Sequence, residues 1–107
     1  MTGVISIQWR AWHDLMPGVT PTLYVTGEVQ TSAGNMVPKL RPAVPQGINP
    51  QILILELSIE QEGDAGIQLV AFRPARYTQE AGAGAYTQVH IRHEGEEIAQ
   101  LDVNEVR

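Results

Sequence analysis

Hydrophobic and polar positions alternate along most of this chain with a period of two. Ile5, Ile7, Trp9 and Ala11 share one phase, and Ser6, Gln8 and Arg10 share the other, the pattern of a strand with one buried face. Leu23, Val25, Gly27 and Val29 repeat it against Tyr24, Thr26, Glu28 and Gln30. A short piece at 35–40 contains Pro38, which has no amide hydrogen to give a ladder, so it belongs at a sheet edge or a bulge. The longest apolar stretch is 51–60. There Leu53, Leu55, Leu57 and Ile59 make one face, while Ile52 and Ile54 precede Glu56 and Ser58 on the other. A strand that is apolar on both faces at its start predicts a central position with one end covered. Pro50 and Glu56 guard that stretch against aggregation.

Three further strands are expected at 66–72, 86–92 and 97–103. Between the last two lies His93-Glu94-Gly95-Glu96, where Gly95 supplies the positive φ of a tight hairpin. Helix has room only at 12–16 and 78–83, a turn or so in each case. Seven short strands without a convincing helix predict one domain over 1–107, an antiparallel β-sandwich of about seven strands. An immunoglobulin-like Greek key is the expected topology, and a small closed β-barrel is the runner-up. Pro42, Pro45 and Pro50 make 41–50 an extended connection, read as a crossover between two sheets. The Gly- and Ala-rich 78–85 reads as a mobile loop. Trp9 and the face of Leu53, Leu55, Leu57 and Ile59 are the expected centre of the core, and the first or last strand is the expected edge for pairing with a second copy.

Composition narrows the functional classes. The chain has 107 residues, 7 Lys+Arg against 12 Asp+Glu, a net charge of −5 and no cysteine. The acidic balance argues against a nucleic-acid partner. The lack of Cys removes disulfides, thiolate metal sites and a cysteine nucleophile. No apolar run approaches the ~20 residues of a membrane span, and residues 1–10 lack a basic, then apolar, leader pattern. A soluble, cytoplasmic protein is expected.

Candidate chemistry is sparse. His90 and His93, with Glu94 beside them, are the residues best spaced for a metal. On a strand, however, positions i and i+3 face opposite sides, so no metal site is expected. His13-Asp14 places a carboxylate beside an imidazole, but adjacent side chains diverge, and no serine sits in a nucleophile elbow. Glu60, Glu62 and Asp64, and then Glu94, Glu96 and Glu97, lack the ligand order of a calcium loop; solvation explains them. Gly82-Ala83-Gly84 has no strand-to-helix context for phosphate, and Lys39 is the only lysine. No catalytic residue, cofactor or small-molecule ligand is therefore expected. Arg10 and Trp12, on the phase opposite Trp9, and Ile48 and Asn49 in the Pro-rich segment are the candidate binding residues, because Trp and Arg are enriched at interfaces.

Asn49-Pro50 and Gly82-Ala83-Gly84 resemble loop motifs of chagasin-type cysteine-protease inhibitors. The remaining residues of those motifs do not match, and no site residue is carried over. The leading expectation is a non-catalytic module that binds a protein partner or forms a homodimer. The alternative is a small metal- or ligand-binding enzyme with a site in a barrel mouth using His13, His90 or His93. A protease-inhibitor-like module is a third reading.

Overall fold

The structure, a computed structural model, describes residues 3–63 and 67–107. Met1, Thr2, Asp64, Ala65 and Gly66 lie outside the described residues, and with them the Asp64 member of the acidic run and the expected Gly66 start of a strand. Seven strands follow in order: β1 Ser6–Asp14, β2 Thr22–Ala33, β3 Met36–Pro42, β4 Ile52–Gln61, β5 Gln68–Glu80, β6 Gln88–His93 and β7 Glu96–Val106. None of the described residues is helical. Residues at 12–16 and 78–83, the two places with room for a helical turn, instead extend β1 to Asp14 and β5 to Glu80.

The strands form one mixed sheet in the order β3-β4-β6-β7-β1-β2-β5. The wholly antiparallel arrangement expected from the sequence is corrected at two places: β1 runs parallel to β7, and β4 parallel to β6. Period-two patterning sets which face a side chain takes, and is silent on strand direction. The end strands β3 and β5 come together, so the sheet curls into a nearly closed barrel. Each of these ends carries a proline, Pro38 in β3 and Pro74 in β5, where a missing donor costs no ladder bond. The first and last strands, expected as edges, are neighbours inside the sheet.

The interior is filled by alternating residues. Leu23, Val25 and Val29 of β2, Leu55 of β4, and Val89 and Ile91 of β6 are fully buried. Each is worth roughly 1.5–3 kcal/mol relative to exposure. Trp9 packs at the margin of this cluster.

Among the described residues the ladders carry three bulges. One lies between β6 and β7, where the step from Ile91 to Arg92 opposes two steps of β7, from Ala99 to Glu97; the other two reset the alternation in β1 and β5. Between Ile7 and Arg10, β1 advances three residues while β2 advances two, from Glu28 to Thr26. The extra residue is accommodated by Gln8 at φ 56°, in the left-handed region seldom used by non-glycine residues. Downstream, Ala11 and His13 point inward. Upstream the phase is inverted: Val4 packs against the core while Ile5 and Ile7 are exposed. The expected shared face of Ile5, Ile7, Trp9 and Ala11 is thus broken at Gln8. In β5, three steps from Gln68 to Ala71 oppose two from Ala33 to Thr31, which places the second extra residue around Leu69 and Val70.

The Pro-rich connection is a long hairpin loop rather than a crossover, since β3 and β4 pair antiparallel. It folds back on β4. The Gln46 amide donates to the Ile54 carbonyl and accepts from the Ile54 amide, both at 2.8 Å; Ala43 N–H also donates to that carbonyl at 2.9 Å. Gln46 so substitutes for a neighbouring strand and covers Ile54, which is 5% exposed. The doubly apolar start of β4 is explained by this cover.

Candidate functional site

Strand directions give the barrel two different ends. At one end meet the finish of β1, the starts of β2, β4 and β6, and the finish of β5. Here the interior is closed by polar side chains. Tyr77 Oη donates to Gln79 Oε1 at 2.7 Å, and Gln79 Nε2 donates to Tyr86 Oη at 3.0 Å. Burial is the main cause that raises the Tyr77 phenol above its ordinary value, with Tyr86 adding to it. His13, 1% exposed, donates from Nε2 to the Ala81 carbonyl at 2.7 Å, pinning the 78–85 segment to the barrel.

The other end is open among the described residues. A cleft of about 620 Å³ is lined by the apolar side chains of Val4, Met36, Leu57, Ile59 and Val70, with Thr31, His93 and Glu94 among its polar members. The volume falls within the range of small-molecule sites. Thr31 continues the inward row of Leu23, Val25 and Val29 along β2. It is 4% exposed, and its Oγ1 has no hydrogen-bond partner among the described residues. Val70 borders the cleft from the bulged start of β5. Sequence reasoning passed over the mouth because Thr31 reads as one more strand residue. The signal was its place in an otherwise apolar row.

The three histidines are not brought together. His13 sits at the closed end and His93 at the open end. His90 lies on the phase opposite Val89 and Ile91, where its Nδ1 is 3.0 Å from Glu97 and its Nε2 3.2 Å from Gln88 Oε1. No cluster of three or more His, Cys, Asp or Glu that could hold a metal occurs among the described residues. Glu94 and Gly95 form the two-residue turn of the β6–β7 hairpin with φ of 52° and 79°; the positive φ of Gly95 was legible in the sequence, and that of Glu94 was not. Of the acidic pair at the end of β4, Glu60 meets Arg41 at 2.5 Å and Glu62 meets Lys39 at 2.6 Å.

Arg10 and Trp12 lie together on the outer wall. Trp12 is directly opposite Tyr24 in the β1–β2 ladder, and the rings stack at 5.3 Å with 14° between planes. The Arg10 guanidinium sits 5.8 Å from the Trp12 ring, in reach of a cation–π contact. A cleft of about 590 Å³ beside them is also lined by Asp102 and Asn104 of β7. Ile48 is fully exposed at the tip of the Pro-rich loop. Asn49 holds the loop itself: its Oδ1 accepts from Gln51 N–H at 2.9 Å, and its carbonyl accepts from Ile52 N–H.

A group of exposed apolar side chains also lies at the start of β5. Ile67 is 83% exposed, Leu69 56%, Val70 67% and Phe72 40%. In comparisons with known proteins, no family model, curated protein or solved structure matches this chain.

Proposed function

We propose that this protein is a non-catalytic binding module that associates through the start of β5, with a second copy of itself as the first occupant to test. The observation that carries this reading is the run of Ile67, Leu69, Val70 and Phe72, four large apolar side chains exposed within six residues of a strand at the end of the sheet. Scattered exposed apolar residues are ordinary, but a contiguous group on an end strand is a surface that association would cover. Neighbouring Ile5 and Ile7, turned outward by the Gln8 bulge, add to the apolar surface of the molecule. The Arg10–Trp12–Tyr24 stack and the exposed Ile48 are further surfaces of the kind a protein partner uses.

Sedimentation velocity of the full chain, from low to high micromolar concentration, tests the reading. Concentration-dependent dimerisation that Leu69→Lys and Phe72→Lys abolish is the expected result. A wild-type chain that stays monomeric throughout overturns self-association through β5.

A further inference from the structure

We propose that the outer wall of β1, β2 and β5 is a self-complementary face, on which a second copy of the chain docks about a two-fold axis running along the Trp12–Tyr24 stack. In that pairing Arg10 of each copy meets Asp14 of the other, and Arg76 meets Glu80. The face is additional to the association surface at the start of β5, since Phe72 lies two rows past Arg76 in the β2–β5 ladder and outside the pairing.

Strand register carries the argument. Residues in register on neighbouring strands stand side by side, and every second residue of a strand shares its face. On this wall one row holds Arg10 and Arg76 on either side of Thr26. The next row outward-facing along the strands is Trp12, Tyr24 and Thr78, and the one after it holds Asp14 and Glu80 on either side of Thr22. A basic row, an aromatic row and an acidic row therefore follow one another, all exposed or half-buried. None of the four charged side chains enters an ion pair among the described residues, although Lys39, Arg41 and Arg107 all do. Within one chain they cannot meet: Arg10 and Asp14, like Arg76 and Glu80, are separated by ~13 Å of extended strand. Their charges are left for a partner to answer.

Symmetry selects the occupant. A two-fold axis lying in the interface along the aromatic row reverses strand direction and keeps each strand opposite itself. It lays the basic row of one copy on the acidic row of the other, giving Arg–carboxylate pairs on both sides of the axis. Trp12 and Tyr24 then sit against their own counterparts at the centre, and Trp, Tyr and Arg are the residues that dominate interface energetics. Arg10 is already seated beside the Trp12 ring, so little freedom remains for it to lose. An axis along the strands would lay arginine on arginine, so the charges admit one orientation. Nine residues a side fall well short of the roughly 20–30 of a standard interface. The contact therefore forms toward millimolar concentration, above the range in which the β5 surface is tested, and two such faces on one chain join dimers into larger assemblies.

The test uses the full chain carrying Leu69→Lys and Phe72→Lys, which silence the β5 surface, so either reading can fail without the other. From micromolar to millimolar concentration at low salt, ¹H–¹⁵N spectra should show concentration-dependent shifts at the Trp12 indole, Tyr24 and Thr78, lost in 1 M salt. Arg10→Glu with Arg76→Glu, and separately Asp14→Lys with Glu80→Lys, should each weaken the association at least about tenfold, because like charges then face one another. Mixing the two reversed chains, one of them labelled, should restore the shifts, which also shows that both are folded. Trp12→Ala in both partners should weaken the mixed pair about tenfold, a loss that unspecific attraction between opposite charges would not show. A silenced chain without these shifts, reversed chains that do not pair on mixing, or a mixed pair indifferent to Trp12→Ala would each overturn the proposal.

Discussion

The indole of Trp9 occupies the space in which any side chain at position 27 would have to begin. A Cβ built on Gly27 would collide with three atoms of the Trp9 ring. Gly27 lies on the inward phase of β2, opposite the Gln8 bulge, and the missing side chain there is the seat for the indole. The Trp9 Nε1–H reaches Ser6 Oγ at 2.9 Å across the same bulge. Bulge, glycine and tryptophan are therefore one unit.

Gly27→Ala is expected to destabilise the fold by about 1–3 kcal/mol, the range for forcing a methyl into a filled interior. In a Trp9→Leu background the same substitution should cost less, since the colliding ring is gone. A double-mutant cycle by urea denaturation reads this coupling. Additive costs would show that position 27 is sensitive for some other reason.

Gln8 carries a second prediction, of opposite sense to strand propensity. Valine is a good strand residue, yet its branched Cβ resists the left-handed conformation that Gln8 adopts. Gln8→Val should cost about 1–2 kcal/mol, and Gln8→Gly should be tolerated. Glu94→Asn, in a turn whose two central residues both have positive φ, should stabilise by roughly 0.5 kcal/mol, because Asn-Gly suits that turn. Thermal melts of the three variants decide; a stabilising Gln8→Val would mean the bulge is not present in solution.

The Arg41–Glu60 pair predicts a pH dependence. Hydrogen bonding from Arg41, followed by that from the Ser58 hydroxyl, holds the Glu60 carboxyl at about 2, below its ordinary 4.5. The folded state thus holds this proton less tightly than the unfolded state. The stabilising contribution is complete above about pH 4.5 and is lost as pH falls from there toward 2. Both partners are exposed, so the contribution should weaken in 1 M salt. Denaturation midpoints measured from pH 5 to 2.5 should converge between wild type and Glu60→Gln. Parallel curves would remove the pair from the account.

His13→Ala should cost about 2–4 kcal/mol, combining a cavity with the lost donor to the Ala81 carbonyl. The 78–85 segment should then exchange its amide hydrogens faster than in wild type. Unchanged exchange at Ala81 and its neighbours would show that the segment is held by other contacts.

Strand positions were legible because burial on one face imposes alternation, and the inward row of β2 can be read directly from Leu23, Val25, Gly27 and Val29. The hairpin at Glu94–Gly95 was legible through the glycine. The phase of Ile5 and Ile7 was not, because a bulge at a glutamine leaves no compositional mark. Strand neighbours were hidden as well: alternation gives β4 the same appearance beside a parallel or an antiparallel β6. The edge role of Pro38 was readable from the missing donor, whereas Pro74 was masked by the bulged, exposed start of its strand. The cleft escaped notice because Thr31 becomes unusual only when the absence of a partner is seen in three dimensions.

The two parallel pairings have a kinetic consequence. Hairpins β1–β2, β3–β4 and β6–β7 can form from neighbouring segments. The sheet is complete only when Ala11 meets Val103 and Ile54 meets His90, the first of these joining residues ~90 apart along the chain. Such long loops must close before their contacts contribute anything, so refolding should be slow for the size of the chain, in milliseconds to seconds. Stopped-flow refolding followed by the fluorescence of Trp9 and Trp12 would time the step at which the middle of the sheet is joined.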